Sequence, residues 1–164
     1  MKRLASFVLA LAAFAPFGAA QATWVPDKAH SSVDFSILHM SLSKVHGHFG
    51  NITGTVVWND GDITKSSVNV TIDATTIDTG VSARDNDLKS ANFFDVAQYP
   101  TATFVSTNIA RNGKNLTVSG NLTVHGITKP VVLQVEGPVG PVQGTGNKMH
   151  AGFSATTTLS RSAF

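Results

Sequence analysis

Apolar and polar residues alternate with a period of two along most of the chain. Over residues 32–37, Val33, Phe35 and Ile37 alternate with Ser32, Asp34 and Ser36. Residues 67–73 set Val68, Val70 and Ile72 against Ser67, Asn69, Thr71 and Asp73. Residues 115–124 are the cleanest case, with Leu116, Val118, Leu122 and Val124 on one face around Gly120. Val131, Leu133 and Val135 repeat the pattern, and Met149, Ala151, Phe153 and Ala155 do so again. This period belongs to strands with one face in a core and the other in water. The abundant Val, Ile and Thr suit a pleated surface. The inward candidates for a binding wall are Val33, Phe35, Ile37, Val68, Val70, Ile72, Leu116, Val118, Leu122, Met149 and Phe153. For each, ordinary core packing is an equally good reading.

Turn residues separate the runs. Asn59-Asp60-Gly61-Asp62 and Arg111-Asn112-Gly113-Lys114 predict hairpins. Gly137-Pro138, Gly140-Pro141 and Gly144-Thr145-Gly146 predict a flexible connection before the strand at Met149. Residues 82–90 predict one short helix, with Ser82 as its N-cap and Asp85 at the third helical position. Residues 91–100 carry Phe93, Phe94, Val96 and Tyr99 without a period, which predicts a structured loop packed down by its aromatics. The fold class is therefore all-β, a sandwich or a barrel. A barrel of about eight strands is wide enough to hold one small apolar ligand, and the pattern alone does not choose between the two.

Composition changes the picture at the amino end. Lys2 and Arg3 precede an uncharged apolar stretch over residues 4–20, followed by Ala20-Gln21-Ala22. This is the layout of a secretory signal, so residues 1–22 are expected to be cleaved and residues 23–164 to form one exported, periplasmic or secreted domain. Pro16 and Gly18 interrupt a stretch already short for a bilayer span, so no stable membrane insertion is expected after cleavage. Of 12 Lys and Arg, two lie in that leader, and the remainder balance the 10 Asp and Glu. A neutral domain gives no reason to expect a nucleic-acid partner. The chain has no cysteine, so packing and backbone pairing must supply its stability.

Several blocks then become recognisable. Trp24-Val25-Pro26-Asp27-Lys28-Ala29-His30-Ser31 leads into Val33, Phe35, Ile37 and His39, then Ser43-Lys44-Val45-His46-Gly47-His48-Phe49. Ile77-Asp78-Thr79, Arg84-Asp85 with Leu88, Phe93-Phe94-Asp95, Tyr99-Pro100 and Phe104 follow in order. Gly120-Asn121-Leu122-Thr123-Val124-His125-Gly126-Ile127-Thr128-Lys129-Pro130 is the most specific block, and Arg161 with Phe164 ends the series. Together they resemble the YceI-like family. That resemblance implies an extended, lipocalin-like antiparallel barrel that binds a polyisoprenoid, such as an isoprenoid quinone, or another long-chain lipid. Two departures accompany it. Asp87 stands where the family usually has His, and the chain stops at Phe164, before the further turn and strand usual in the family. The last strand is therefore expected to be missing, or the barrel to close differently.

Polar groups at the mouth of such a barrel could meet a lipid head group, and the candidates are His30, Asp78, Arg84, Asp85 and His125. Each has a structural alternative: a helix cap for Asp85, a brace to Asp78 or Asp85 for Arg84, a tie between strands for His30 and a hairpin cap for His125. No cofactor is required by this reading, and a homodimer is compatible with it. Catalysis lacks a recognisable nucleophile and base. Metal binding would rest on His46 and His48, which share a strand face with His39 near, but a solvated face with Gly47 and Phe49 as the inward pair is the plainer reading.

Overall fold

The computed structural model describes residues 21–164. The expected leader lies outside the described residues except for Gln21 and Ala22, which open the first strand. The strands are β1 (Gln21–Trp24), β2 (Val33–His39), β3 (Ser43–Phe49), β4 (Ile52–Asn59), β5 (Ser67–Asp73), β6 (Thr101–Asn112), β7 (Asn115–Val124), β8 (Ile127–Gln143) and β9 (Met149–Thr156). One helix, α1 (Ser82–Lys89), lies between β5 and β6. Seven strands form an antiparallel sheet in the order β1-β4-β5-β6-β7-β8-β9, and β2 and β3 form a separate hairpin. The sheet curls into a half-barrel. The all-β expectation holds, with a hairpin set apart from an open curl.

Alternation builds the concave face. Register places Val56 beside Val68, Val70 beside Phe104, and Phe104 beside Leu122. It also places Val118 beside Leu133 and Leu116 beside Val135. Trp58, Phe104, Ile109, Leu116, Val118 and Val135 are buried together. Trp58 of β4 and Phe153 of β9 have ring centroids 5.7 Å apart. Five strand spacings of about 4.8 Å would put them some 24 Å apart in a flat sheet, so the contact measures the curl.

Gly120 makes room for the largest core ring. A Cβ there would fall 2.5 Å from Cζ of Phe104, so the ring lies directly over the glycine backbone. The pairing of β6 with β7 slips between Ser106 and Asn108. This bulge moves Ile109 onto the buried face, and the Ser106 hydroxyl accepts the Val68 N–H at 2.8 Å.

Several local expectations need correcting. Residues 137–141 are not a flexible connection, because β8 continues through them with two register shifts around Gly137-Pro138 and Gly140-Pro141. Proline has no N–H for a ladder, and a bulge accommodates it. Ser82 is the first residue of α1 and Val81 occupies the cap without a side-chain hydrogen bond. After Asn59 the chain makes a longer corner with a 3₁₀ turn at Ile63–Lys65, not a tight hairpin. The aromatic loop does pack as expected: Phe94 meets Phe49 edge-on at 5.4 Å, and Arg161 lies 4.9 Å over Phe93.

The root of the β2–β3 hairpin is tied to the sheet by polar contacts. The Asp73 carboxylate accepts from the Thr75 hydroxyl at 2.6 Å, from the Thr75 N–H at 3.0 Å and from the Asn51 amide at 3.0 Å. The bonds from Thr75 and then Asn51 hold this carboxyl below its ordinary value of 3.8. A depressed carboxyl stabilises the fold above that value and loses its contribution as pH falls through the folded-state value. Asp73→Asn is therefore expected to cost about 1 kcal/mol at neutral pH. In urea titrations the difference from the parent should shrink as the medium is acidified below the ordinary carboxylate range. Gly120→Val should cost roughly 1–3 kcal/mol by overpacking against Phe104, read as a lower urea midpoint. The double change with Phe104→Leu should recover part of the loss, since it removes the far edge of the ring.

Candidate functional site

The concave face holds an apolar cleft of about 130 Å³, lined by Val56, Val57, Trp58, Ser66, Val68, Ile109, Leu116, Val118, Leu133, Val135, Phe153 and Ala155. No polar surface reaches its wall. Among the described residues, every buried side-chain nitrogen or oxygen has a hydrogen-bond partner. The cleft therefore offers dispersion and exclusion of water, with no buried polar group to select a hydrogen-bonding ligand.

The predicted apolar residues divide among three environments. Val68, Leu116, Val118 and Phe153 line the cleft, and Val70 and Leu122 pack beside it. Ile72 is half-buried on the same face, opposite Ile52. Val33 and Phe35 belong to the separate hairpin, where Phe35 lies 5.6 Å from Phe49. Ile37 and Met149 depart from expectation: both are exposed, at 43% and 50%. Their alternation is genuine, but no second layer covers them among the described residues.

Sequence reasoning missed Trp58, Ile109, Leu133 and Val135 as wall residues. The last two alternate visibly with Val132 and Gln134 and could have been added. Ile109 was hidden because the bulge at Ser106/Asn108 interrupts the period, and Trp58 because Gly54 breaks the apolar set of β4.

The polar candidates also separate. Asp78 pairs with His48 through backbone bonds of 2.9 and 3.0 Å. Both border an open depression with Asp34, Phe35, His46, Gly47, Thr79 and Gly80. Behind it, Thr79 is clamped through all its polar groups. Its N–H and hydroxyl donate to the Asp85 carboxylate at 2.9 and 2.6 Å, while Arg84 donates to its hydroxyl at 2.7 Å and its carbonyl at 2.9 Å. Arg84 thus braces the loop through Thr79 and makes no ion pair with Asp78 or Asp85. Asp85 secures the approach to α1 in place of capping its first residue.

His30 and His125 lie elsewhere. The His30 ring bonds the Asp27 carboxylate at 2.9 Å within one exposed turn, so it does not tie β1 to a neighbour. That bond, ahead of the Ala29 N–H, lowers the Asp27 carboxyl from its usual range. His125 and Gly126 form the β7–β8 turn with φ of 50° and 75°, and the His125 ring meets Tyr99 edge-on at 4.8 Å. Its place is the hairpin turn. His46 and His48 are exposed on β3, with Gly47 and Phe49 half-buried between and beyond them.

A model of the YceI-like domain matches residues 24–164. Protein YceI of Salmonella newport is 39% identical over 137 residues, which span 82% of this chain and 72% of that protein. The UPF0312 protein VPA0850 of Vibrio parahaemolyticus is 36% identical, across 99% of this chain and 87% of its own length. Among solved structures, the YceI protein of Campylobacter jejuni superposes with a TM-score of 0.66 at 30% identity, covering 86% of this chain and 82% of the other. Burkholderia cenocepacia BcnA gives 0.65 at 28% identity over 70% of this chain and 73% of its own. A polyisoprenoid-binding domain from Saccharophagus degradans shares the fold, with a TM-score of 0.52 at 18% identity over 71% of this chain and 68% of its own. The family match over nearly all of the described residues, and relatives at 36–39% identity, agree with the shared fold: the chain belongs to the YceI-like family.

Proposed function

We propose that this chain is an exported, non-catalytic lipid-binding protein that holds a long apolar chain of polyisoprenoid type, such as an isoprenoid quinone tail, along its concave face. The cleft carries the reading, because its wall exposes no polar surface: the one hydroxyl in its lining, on Ser66, is occupied by the Asn59 N–H. Membership of the YceI-like family supports it, and the shared fold of a domain described as polyisoprenoid-binding agrees with it. The same comparisons favour a binding protein over an enzyme. The bound lipid is the only small molecule the reading requires.

The size of the cleft refines the picture. About 130 Å³ is close to the volume of an engineered cavity that takes up one benzene, so it would grip about one isoprene unit. The rest of the tail would lie in an open trough over Val68, Val70, Leu122 and Val131, which remain half-buried. Covering roughly 500 Å² of tail yields on the order of 12 kcal/mol before ordering costs, a large part of which those costs remove. Tail length would matter more than any one contact. For the head group we assign Asp78, in the open depression beside His46 and His48, with Arg84 and Asp85 shaping that edge through Thr79.

Protein exported in its native compartment, purified without detergent and extracted into organic solvent should yield one stoichiometric long-chain lipid by mass spectrometry. An empty protein that also refuses added quinones and fatty chains would overturn the reading. Leu133→Asp places a charge on the cleft wall without touching the Trp58–Phe153 contact, and Ala155→Asp does so at an exposed lining residue. Each should lower lipid retention about tenfold or more, the equivalent of about 1.4 kcal/mol. Circular dichroism should stay as in the parent. Full retention in both folded variants would move the cargo off the concave face.

A further inference from the structure

The β2–β3 hairpin is anchored at one end only. At its root, His48 pairs with Asp78, the Gly50 N–H donates to the Thr76 hydroxyl at 3.0 Å, and Phe49 packs on Phe94. Beyond Phe35 and Gly47 every side chain but the half-buried Val45 is exposed. Leu38, Met40 and Leu42 at the tip are 58%, 75% and 84% exposed.

The other turns of the molecule are built differently. Gly113-Lys114, His125-Gly126 and Gly144–Lys148 use glycine and polar residues. At this tip Met40 and Ser41 instead take φ of 51° and 59°, a region that favours Gly and Asn at hairpin turns. The chain thus keeps a long apolar side chain, 75% exposed, in a backbone conformation unfavourable for it. From Phe35 to Gly47 there is no carboxylate, and Lys44 lies opposite Leu38 across the hairpin.

We propose that this tip is a membrane-docking element that inserts Leu38, Met40 and Leu42 into the interfacial region of an anionic phospholipid bilayer, with Lys44 meeting the head groups. The shape of the patch favours a bilayer over a protein. Three side chains on a protruding turn are far from the roughly 800 Å² per partner that a stable protein interface buries. They match the shallow insertion of apolar residues that peripheral proteins make, with a cation above them. Absence of acidic groups from the hairpin's outer part complements a negative lipid surface. The inference rests on the lipid reading above, since a polyisoprenoid cargo resides in bilayers and has to be collected from and returned to one.

Flotation of the mature chain with vesicles of phosphatidylethanolamine and phosphatidylglycerol tests it. The parent should float with these vesicles, and less with pure phosphatidylcholine. The triple change Leu38→Ser, Met40→Ser, Leu42→Ser should cut partitioning about tenfold or more, with an unchanged melting temperature because these side chains are exposed. Equal partitioning of parent and triple variant, or no flotation of the parent, would overturn the proposal. So would loss of a dimer in the triple variant without any vesicle binding, which would assign the tip to a second copy of this chain. Uptake of quinone from detergent, measured in parallel, separates the two readings. Uptake with tip-independent flotation sinks the docking element alone. Tip-dependent flotation without uptake sinks the cargo reading alone.

Discussion

Trp58 and Phe153 stand near opposite ends of one sheet and nevertheless touch. The seven-stranded sheet has one apolar face to hide, and the β2–β3 hairpin, the other sheet among the described residues, stands apart from it. Curling is the remaining solution, and the aromatic pair is where the curl meets itself. The tight stacking of Phe104 over Gly120 lies deeper in the same concavity, because strands that bend around a ring need a position without a side chain beneath it. The cleft follows from the same geometry. Side chains directed inward fill the middle of the curl and leave a gap where β4 and β9 approach, and Trp58 and Phe153 both border that gap.

Much of this arrangement could be read from the residues. Leu116, Val118 and Leu122 declared their face through alternation, and the structure places all three on the concave side. Legibility failed where the period broke. The extra residue after Ser106 rotates Ile109 inward, and two Gly-Pro steps bend β8 without ending it. Alternation also states only that a strand has two kinds of face, not which sheet it joins. Val33, Phe35 and Ile37 alternate as well as Val68, Val70 and Ile72, yet β2 pairs only with β3. Sheet membership is decided by long-range pairing, which no local pattern encodes.

The polar candidates were legible as a group and not as individuals. Arg84 and Asp85 converge on Thr79, while the Asp78 carboxylate accepts the N–H of the next residue but one, Gly80. The Thr79 backbone must be satisfied where the chain leaves β5 for α1, and the helix supplies both donor and acceptor in consecutive residues. A sequence shows that Arg-Asp pair but not the carbonyl and N–H it reaches. His30 is explained by its own turn through Asp27, and His125 by its place in the β7–β8 turn with its ring against Tyr99.

The order of strands carries a kinetic consequence. From β4 to β9 every neighbour in the sheet is also the next strand in the chain, so pairing can proceed hairpin by hairpin with low contact order. Only β1 must find a strand that is not its successor, since it pairs with β4 across the whole β2–β3 excursion. Closing so long a loop is entropically costly if the intervening chain is slack. A preformed hairpin shortens it, because the pairing of Val33 with Phe49 brings the two ends of the excursion side by side. Were the hairpin to form first, the part that stands apart from the finished sheet would serve, during folding, as the clasp that brings β1 to its place.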